Sequence, residues 1–326
     1  MSMCMAWVRQ KNDGDEELIV ATDSVFTGGE RWENGIKLFE LPRTDCVIAF
    51  VGDTTKAYTL ILNLISSIKL DNRLKNTYTP LVEVIEYISE LFTILIKNIK
   101  DETKPEREES LHKLRSEVKF LFSGWCWREN RFRIWEVSYN IGTQSFLPTE
   151  QEKCSLNGLC AFIVNPDDKK TIAEAKLRQE REKKEIGSNV DMEPLRVLID
   201  ISQDSSIREI GGATQIVKIY RSGTLEFFGI DWKGKPYFLG REFEDHNKPN
   251  QKYFDSNSLF VNDNDLPIKI TFQHFQELKE IDFITSCYDD EGYIKDDIKE
   301  REREKLKLIF KDKAQKDFLT KYEVSE

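Results

Sequence analysis

The chain has 326 residues, with 48 Lys plus Arg against 58 Asp plus Glu, a formal net charge of −10, 39% hydrophobic and 33% charged residues. This is the composition of a globular protein with a sizeable core and a charged surface. The acidic balance excludes a broad surface for nucleic acid or anionic membrane, which needs clustered Lys and Arg, and no apolar run reaches the roughly 20 residues that span a bilayer.

Residues 1–8 lack the basic region and long apolar stretch of a secretory signal. Six cysteines (Cys4, Cys46, Cys126, Cys154, Cys160, Cys287) occur without a CxxC pair. That spacing fits reduced thiols in a cytoplasm and fits neither a disulfide frame nor a zinc site. The three histidines, His112, His246 and His274, stand far apart in polar or mixed stretches. They read as surface or packing residues, so a Ser-His-Asp hydrolase is not expected. No metal or cofactor motif is found: Gly28 and Gly29 lack a following GK and read as turn residues.

In chain order, residues 2–9 read as a strand with Cys4, Ala6 and Val8 on one face. The polar tract 11–17 turns into a return strand, Leu18–Thr22, apolar enough to be buried on both faces. A Gly-rich loop over 24–35 leads to a second hairpin, Ile36–Leu41 and Cys46–Val51, closed by Gly52. Asp53 or Thr54 then caps a helix over about 55–69, with Tyr58, Ile61, Leu62, Ile65 and Ile68 on one stripe. Pro80 opens a second helix to about residue 100, followed by a charged loop to 109. Strands over 118–125 and 132–139 form a third hairpin; Trp125, Trp127 and Trp135 read as cross-strand packing. Helices follow over 166–185 and about 193–203, then Gly211-Gly212 and strands over 214–220 and 224–230. Residues 241–266 read as loop, 268–272 as a strand, and 296–322 as a charged helix with Leu306, Ile309 and Phe310 on its apolar side. Strand pairs alternating with helix pairs predict two sheets packed face to face with helices outside: an α+β, four-layer αββα sandwich over 2–240, and a C-terminal extension over 241–326.

Ser2 follows the initiator Met, whose removal a small second side chain permits. A free Ser2 α-amine, with a pKa of roughly 7.7–8.0, can act as base for its own hydroxyl, the one nucleophile arrangement that needs no histidine. Such a site also needs a carboxylate and a cation. Asp23 ends the second strand, Lys37 begins the third at the same end of the sheet, and Gly52 closes the fourth with a backbone N–H suited to an oxyanion. Singly, Asp23 reads as a strand end and Lys37 as a solvated residue; the case rests on their coincidence.

The segments Val20-Ala-Thr-Asp-Ser24, Gly35-Ile-Lys37 and Ile48-Ala-Phe-Val-Gly52-Asp-Thr-Thr resemble the proteasome β-subunit and HslV family of N-terminal-nucleophile hydrolases, over about residues 2–140 and more loosely over 193–230. The resemblance implies an amide hydrolase, with peptides as the expected substrate. Asp23 matches the family's aspartate, Lys37 its catalytic lysine and Gly52 its oxyanion glycine. Ser2 is the expected nucleophile; Cys4 is the alternative, but its exposure needs cleavage after Met3. Two features depart from the family. Val164-Asn165-Pro166 replaces a Gly-Ser-Gly helix start, and Ile207 and Ile210 occupy places where an Asp and a Ser support the α-amine, with Asp204 and Ser205 lying earlier in the chain. A non-catalytic scaffold subunit and a small-molecule amidase therefore stay open. The family resemblance also implies a ring-like homo-oligomer and a separate unfoldase ATPase as partner. Lys37→Ala is expected to abolish hydrolysis and leave the fold nearly intact.

Overall fold

A computed structural model describes residues 2–10, 16–28, 30–100, 108–151, 153–154, 158–165, 168–182, 190–243, 253–255, 270, 272–290, 292, 295, 298–299, 301–303, 305–306 and 308–310. The chain divides into two compact units, Met1–Leu259 and Phe260–Glu326.

The first unit opens with the hairpin of β1 (Ser2–Gln10) and β2 (Glu16–Thr22), in the register Cys4 opposite Thr22. A short ribbon, β3 (Phe26–Thr27) and β4 (Arg31–Trp32), interrupts the loop before β5 (Leu38–Glu40) and β6 (Cys46–Gly52). Asp53 caps α1 (Thr54–Leu70), accepting from the Lys56 N–H at 2.8 Å. After α2 (Asn72–Lys75), Pro80 stands at the cap of α3 (Leu81–Ile96). The stretch expected as loop to 109 contains the start of α4 (Glu108–Arg115); 101–107 lie outside the described residues. Next come β7 (Val118–Cys126), β8 (Arg131–Asn140), β9 (Ser145–Glu150), β10 (Lys153–Cys154) and β11 (Gly158–Asn165). They are followed by α5 (Asp168–Glu182), α6 (Glu193–Gln203), β12 (Gln215–Tyr220), β13 (Leu225–Trp232), β14 (Lys235–Phe238), β15 (Arg241–Glu242) and β16 (Tyr253–Asp255).

This is a mixed α+β fold. The larger sheet runs β10-β11-β1-β2-β12-β13-β14-β15, with β16 parallel to β13; the smaller runs β5-β6-β7-β8-β9. Alternation along the strands sorts the core. Cys4, Ala6, Leu18, Val20, Ala161, Ile163 and Val217 from the larger sheet meet Leu38, Val47, Ala49, Val51, Leu121 and Ile134 from the smaller in one buried cluster. The opposite face of the smaller sheet, including Ile48, Phe50, Phe120 and Phe122, packs on the apolar stripes of α1 and α3. Met3, Met5 and Trp7, on the other face of β1, are equally buried, and α6 contacts β1 and β2 while α5 contacts β11. Trp125 and Trp135 pack across strands, on Phe132 and Phe122 respectively.

Among the described residues, eight strands were not expected: the short β3, β4, β10, β14, β15 and β16, and the longer β9 and β11. β11 inserts beside β1, with Ser2 opposite Asn165 and Met3 opposite Val164. Where a helix start was expected from the family pattern, Val164 and Asn165 continue a strand; Pro166 lies outside the described residues. The other longer one, β9, is an edge strand holding Pro148, a position that tolerates proline. Beyond residue 240, β15 and β16 still belong to the first unit, because Tyr253–Asp255 pair with Gly229–Asp231.

In the second unit, Ile270, Phe275, Ile284, Cys287, Tyr288 and Leu306 form a separate buried cluster around α7 (Ile281–Cys287). Ile309 and Phe310 pack against it, and residues 301–303, 305–306 and 308–310 are helical. Phe272 begins a 3-10 turn where a strand end was expected; residues 268, 269 and 271 lie outside the described residues.

Candidate active site

Four strand ends set the site. Ser2 begins β1, Asp23 follows β2, Lys37 precedes β5 and Gly52 ends β6. Ser2, Asp23 and Lys37 come together, with relative exposures of 3%, 0% and 0%. Lys37 Nζ donates to Ser2 Oγ at 2.7 Å and to both oxygens of Asp23 at 2.9 Å. An ammonium has three N–H groups and no acceptor, so these contacts use all its donors. The Asp23 carboxylate also accepts from the backbone N–H groups of Met3 (3.0 Å), Val25 (3.2 Å) and Gly211 (3.3 Å). A buried ion pair holds only when its remaining polar atoms are satisfied, and Asp23 meets that condition.

The chemical consequence follows from the lysine. A cation that hydrogen-bonds Ser2 Oγ stabilises the alkoxide over the alcohol. The same lysine is buried without solvent contact, so removing it touches the fold as well as the charge. The expectation that Lys37→Ala leaves the fold nearly intact is therefore corrected: it strands the Asp23 carboxylate in the core.

The Phe50 N–H donates to the Lys37 carbonyl at 3.2 Å. By strand alternation the Gly52 N–H leaves β6 on that same side, beyond the start of β5. Gly52 has a φ of 105°, a backbone conformation that suits glycine.

Cys4 lies two residues from Ser2 on the inward face of β1. Its single S–H has two acceptors in reach, Thr22 Oγ1 at 3.3 Å and the Phe50 carbonyl at 3.2 Å. Burial pushes the thiol up to about 12, against the smaller opposing effects of the Thr22 hydrogen bond and Lys37. Ile207 and Ile210 are buried apolar residues. Asp204 is instead the half-buried C-cap residue of α6, bonded to the Ser206 N–H at 2.9 Å and its hydroxyl at 2.6 Å, which hold its carboxyl below the usual range. Among the described residues, no group of three His, Cys, Asp or Glu could hold a metal ion. No helix is long and apolar enough to cross a membrane among them.

The sequence reading missed the contacts that steady this site. Gly211 supplies an N–H to Asp23, and its carbonyl accepts from Ser24 N–H at 2.9 Å. Gly212 has a φ of +71°, and a Cβ there would collide with Ser24 Oγ and lie 2.7 Å from the Glu33 carbonyl oxygen. The paired glycines were visible as a motif; their grip on Asp23 was not. Gln215, whose amide bonds the backbone at Lys37, carries no motif at all.

No protein-family model matches the chain, and no curated protein matches it. Solved structures that resemble it include two of Anbu. One is a Gly-1 mutant of Anbu from Hyphomicrobium sp. strain MC1, 12% identical, with a TM-score of 0.40, covering 68% of this chain and 81% of that one. The other is Anbu, an ancestral beta-subunit, from Yersinia bercovieri, also 12% identical, with a TM-score of 0.43, covering 69% of this chain and 86% of that one. At such identities and TM-scores, neither likeness assigns an activity to this chain.

Proposed function

We propose that the protein is a proteasome-like N-terminal-nucleophile amide hydrolase with an αββα core, acting on peptides through Ser2 once Met1 is removed. The observation that carries this reading is the buried contact of Lys37 Nζ with Ser2 Oγ and both Asp23 oxygens. In the proposed reaction the Ser2 hydroxyl passes its proton to the Ser2 α-amine, directly or through water, as Oγ bonds the amide carbon. Lys37 stabilises the developing alkoxide, Asp23 fixes and neutralises Lys37, and the Gly52 N–H donates to the tetrahedral oxyanion. Collapse breaks the C–N bond, and the protonated α-amine gives its proton to the leaving amine. Water then attacks the ester with the amine again as base, restoring Ser2. Ser2 is preferred to Cys4 because the Cys4 thiol is held protonated and points between the sheets.

The fold alone does not fix a function. A non-catalytic scaffold draws support from the near-complete burial of Ser2 and the apolar Ile207 and Ile210. The test is intact mass together with peptide hydrolysis by wild type and Ser2→Ala. Loss of Met1 and loss of hydrolysis in Ser2→Ala are expected. Retained Met1 in a protein that hydrolyses nothing favours the scaffold.

A further inference from the structure

We propose that Gln215 is the positioning residue for Lys37: its side-chain amide ties the start of β5 to the larger sheet and so sets the ammonium on Ser2 Oγ. The proposal rests on the reading of Ser2, Asp23 and Lys37 given above.

Gln215 begins β12, is fully buried and pairs with Thr22, the residue before Asp23. Its side chain crosses to the other sheet. Oε1 accepts from the backbone N–H of Lys37 at 3.0 Å and of Leu38 at 3.3 Å, and Nε2 donates to the Gly35 carbonyl at 2.5 Å. Regular pairing of β5 with β6 begins only at Leu38 opposite Ala49. The amide therefore satisfies backbone groups just where the ladder has not yet started. Both oxygen lone pairs are used, and one N–H is used as well. Glu offers the acceptors without the donor, Leu offers neither, and Asn is one methylene shorter.

The larger sheet thus holds both halves of the ion pair. Asp23 continues directly from β2, and Lys37 is attached through the amide of the neighbouring strand. Gly240 closes the clamp from behind. Its φ is +79°, and a Cβ there would lie 3.2 Å from Gln215 Nε2 and 2.5 Å from Ser24 Cβ. Displacing a catalytic group by about 1 Å can cost on the order of a hundredfold in rate. Gln215 touches only backbone at Gly35, Lys37 and Leu38 in these contacts, so its effect is to place the lysine rather than to bind substrate.

The experiment compares wild type, Gln215→Leu and Gln215→Glu in peptide hydrolysis from pH 6 to 8.5, with active sites counted by an N-terminal electrophile, a peptide epoxyketone. Gln215→Leu is expected to lose about a hundredfold in kcat per active site, with KM little changed. In Gln215→Glu, an ionised carboxylate repels the Gly35 carbonyl, whereas a protonated one restores the donor. The ratio of its kcat to that of wild type is expected to rise as pH falls. A merely structural role reduces the number of active sites and leaves that ratio flat; a flat ratio, or wild-type kcat in Gln215→Leu, overturns the proposal. If wild type itself hydrolyses nothing, the catalytic reading fails and the clamp is judged separately, by acylation of Lys37 with an amine reagent read by mass spectrometry. Protection in wild type and modification in folded Gln215→Leu support the clamp; equal protection in both refutes it.

Discussion

Replacing Lys37 by Met keeps an unbranched side chain over the Phe26 ring, where Nζ stands 5.6 Å from the centroid, and removes the charge together with the three N–H donors to Ser2 and Asp23. Asp23 then stays in the core with neither oxygen paired to a cation. Breaking a buried pair by deleting one partner costs about 3–5 kcal/mol. The N–H groups of Met3, Val25 and Gly211 still reach the carboxylate, which places the cost near the lower end, about 3 kcal/mol. For a unit of this size, 1 kcal/mol moves Tm by about 2–4 °C, so a fall of about 6–12 °C is expected. Circular dichroism melts of Lys37→Met, Asp23→Asn and the double variant measure it. The double variant is expected to be more stable than the sum of the two single losses predicts, since neither charge is then stranded. Hydrolysis is expected to fall by about a hundredfold or more in Lys37→Met. A melting point within about 1 °C of wild type would refute the buried pair, because the cost of a stranded carboxylate could not then be present.

Gly212→Ala combines a left-handed backbone, worth about 1–2 kcal/mol for a residue with a Cβ, with a collision at Ser24; a lower Tm and reduced hydrolysis are expected together, the latter because Gly211 N–H shifts off Asp23. The Cys4 thiol stays protonated in the folded state up to about 12, against 9.0 as its ordinary value. A raised folded-state pKa gives stability that is present below the unfolded value and is lost as pH rises toward the folded one. Unfolding free energy is thus expected to fall between about pH 9 and 12, less steeply in Cys4→Ala, as denaturant titrations at each pH would show. Iodoacetamide at pH 8 should leave Cys4 unmodified in the folded protein, as peptide mass mapping would report. Leu62, expected on the apolar stripe of α1, is exposed, as is Ile94 on α3, and light scattering is expected to give a homo-oligomer larger than a dimer; a monomer would remove the expected ring.

The helices and hairpins formed by neighbours in sequence were legible because their signals are local. Asp53 before an apolar 3.6-residue period marks α1, and α6 follows its expected span over 193–203. The strand ends that carry Ser2, Asp23 and Lys37 were legible for the same reason. Pairings between distant segments were not. Nothing local announces that Gly158–Asn165 lies beside β1, or that Tyr253–Asp255 rejoins β13, since strand partners separated by many residues share no turn signal. Pro148 masked β9 because proline lowers strand propensity everywhere except at an edge. Gln215 was illegible for a related reason. Its role depends on two sheets facing each other, and one glutamine at the start of a strand looks like any other. The burial of Lys37 was likewise hidden, because a lysine at a strand end is ordinarily solvated.

The most direct test of the central claim is the site of reaction with a peptide epoxyketone, located by mass spectrometry of the N-terminal peptide. Ring closure on such a reagent needs a hydroxyl and a free amine on one residue. The account predicts an adduct on Ser2 of Met1-free protein, absent in Ser2→Ala and much slowed in Lys37→Met. Met1-free protein that forms no adduct, or an adduct at any other residue, would contradict it.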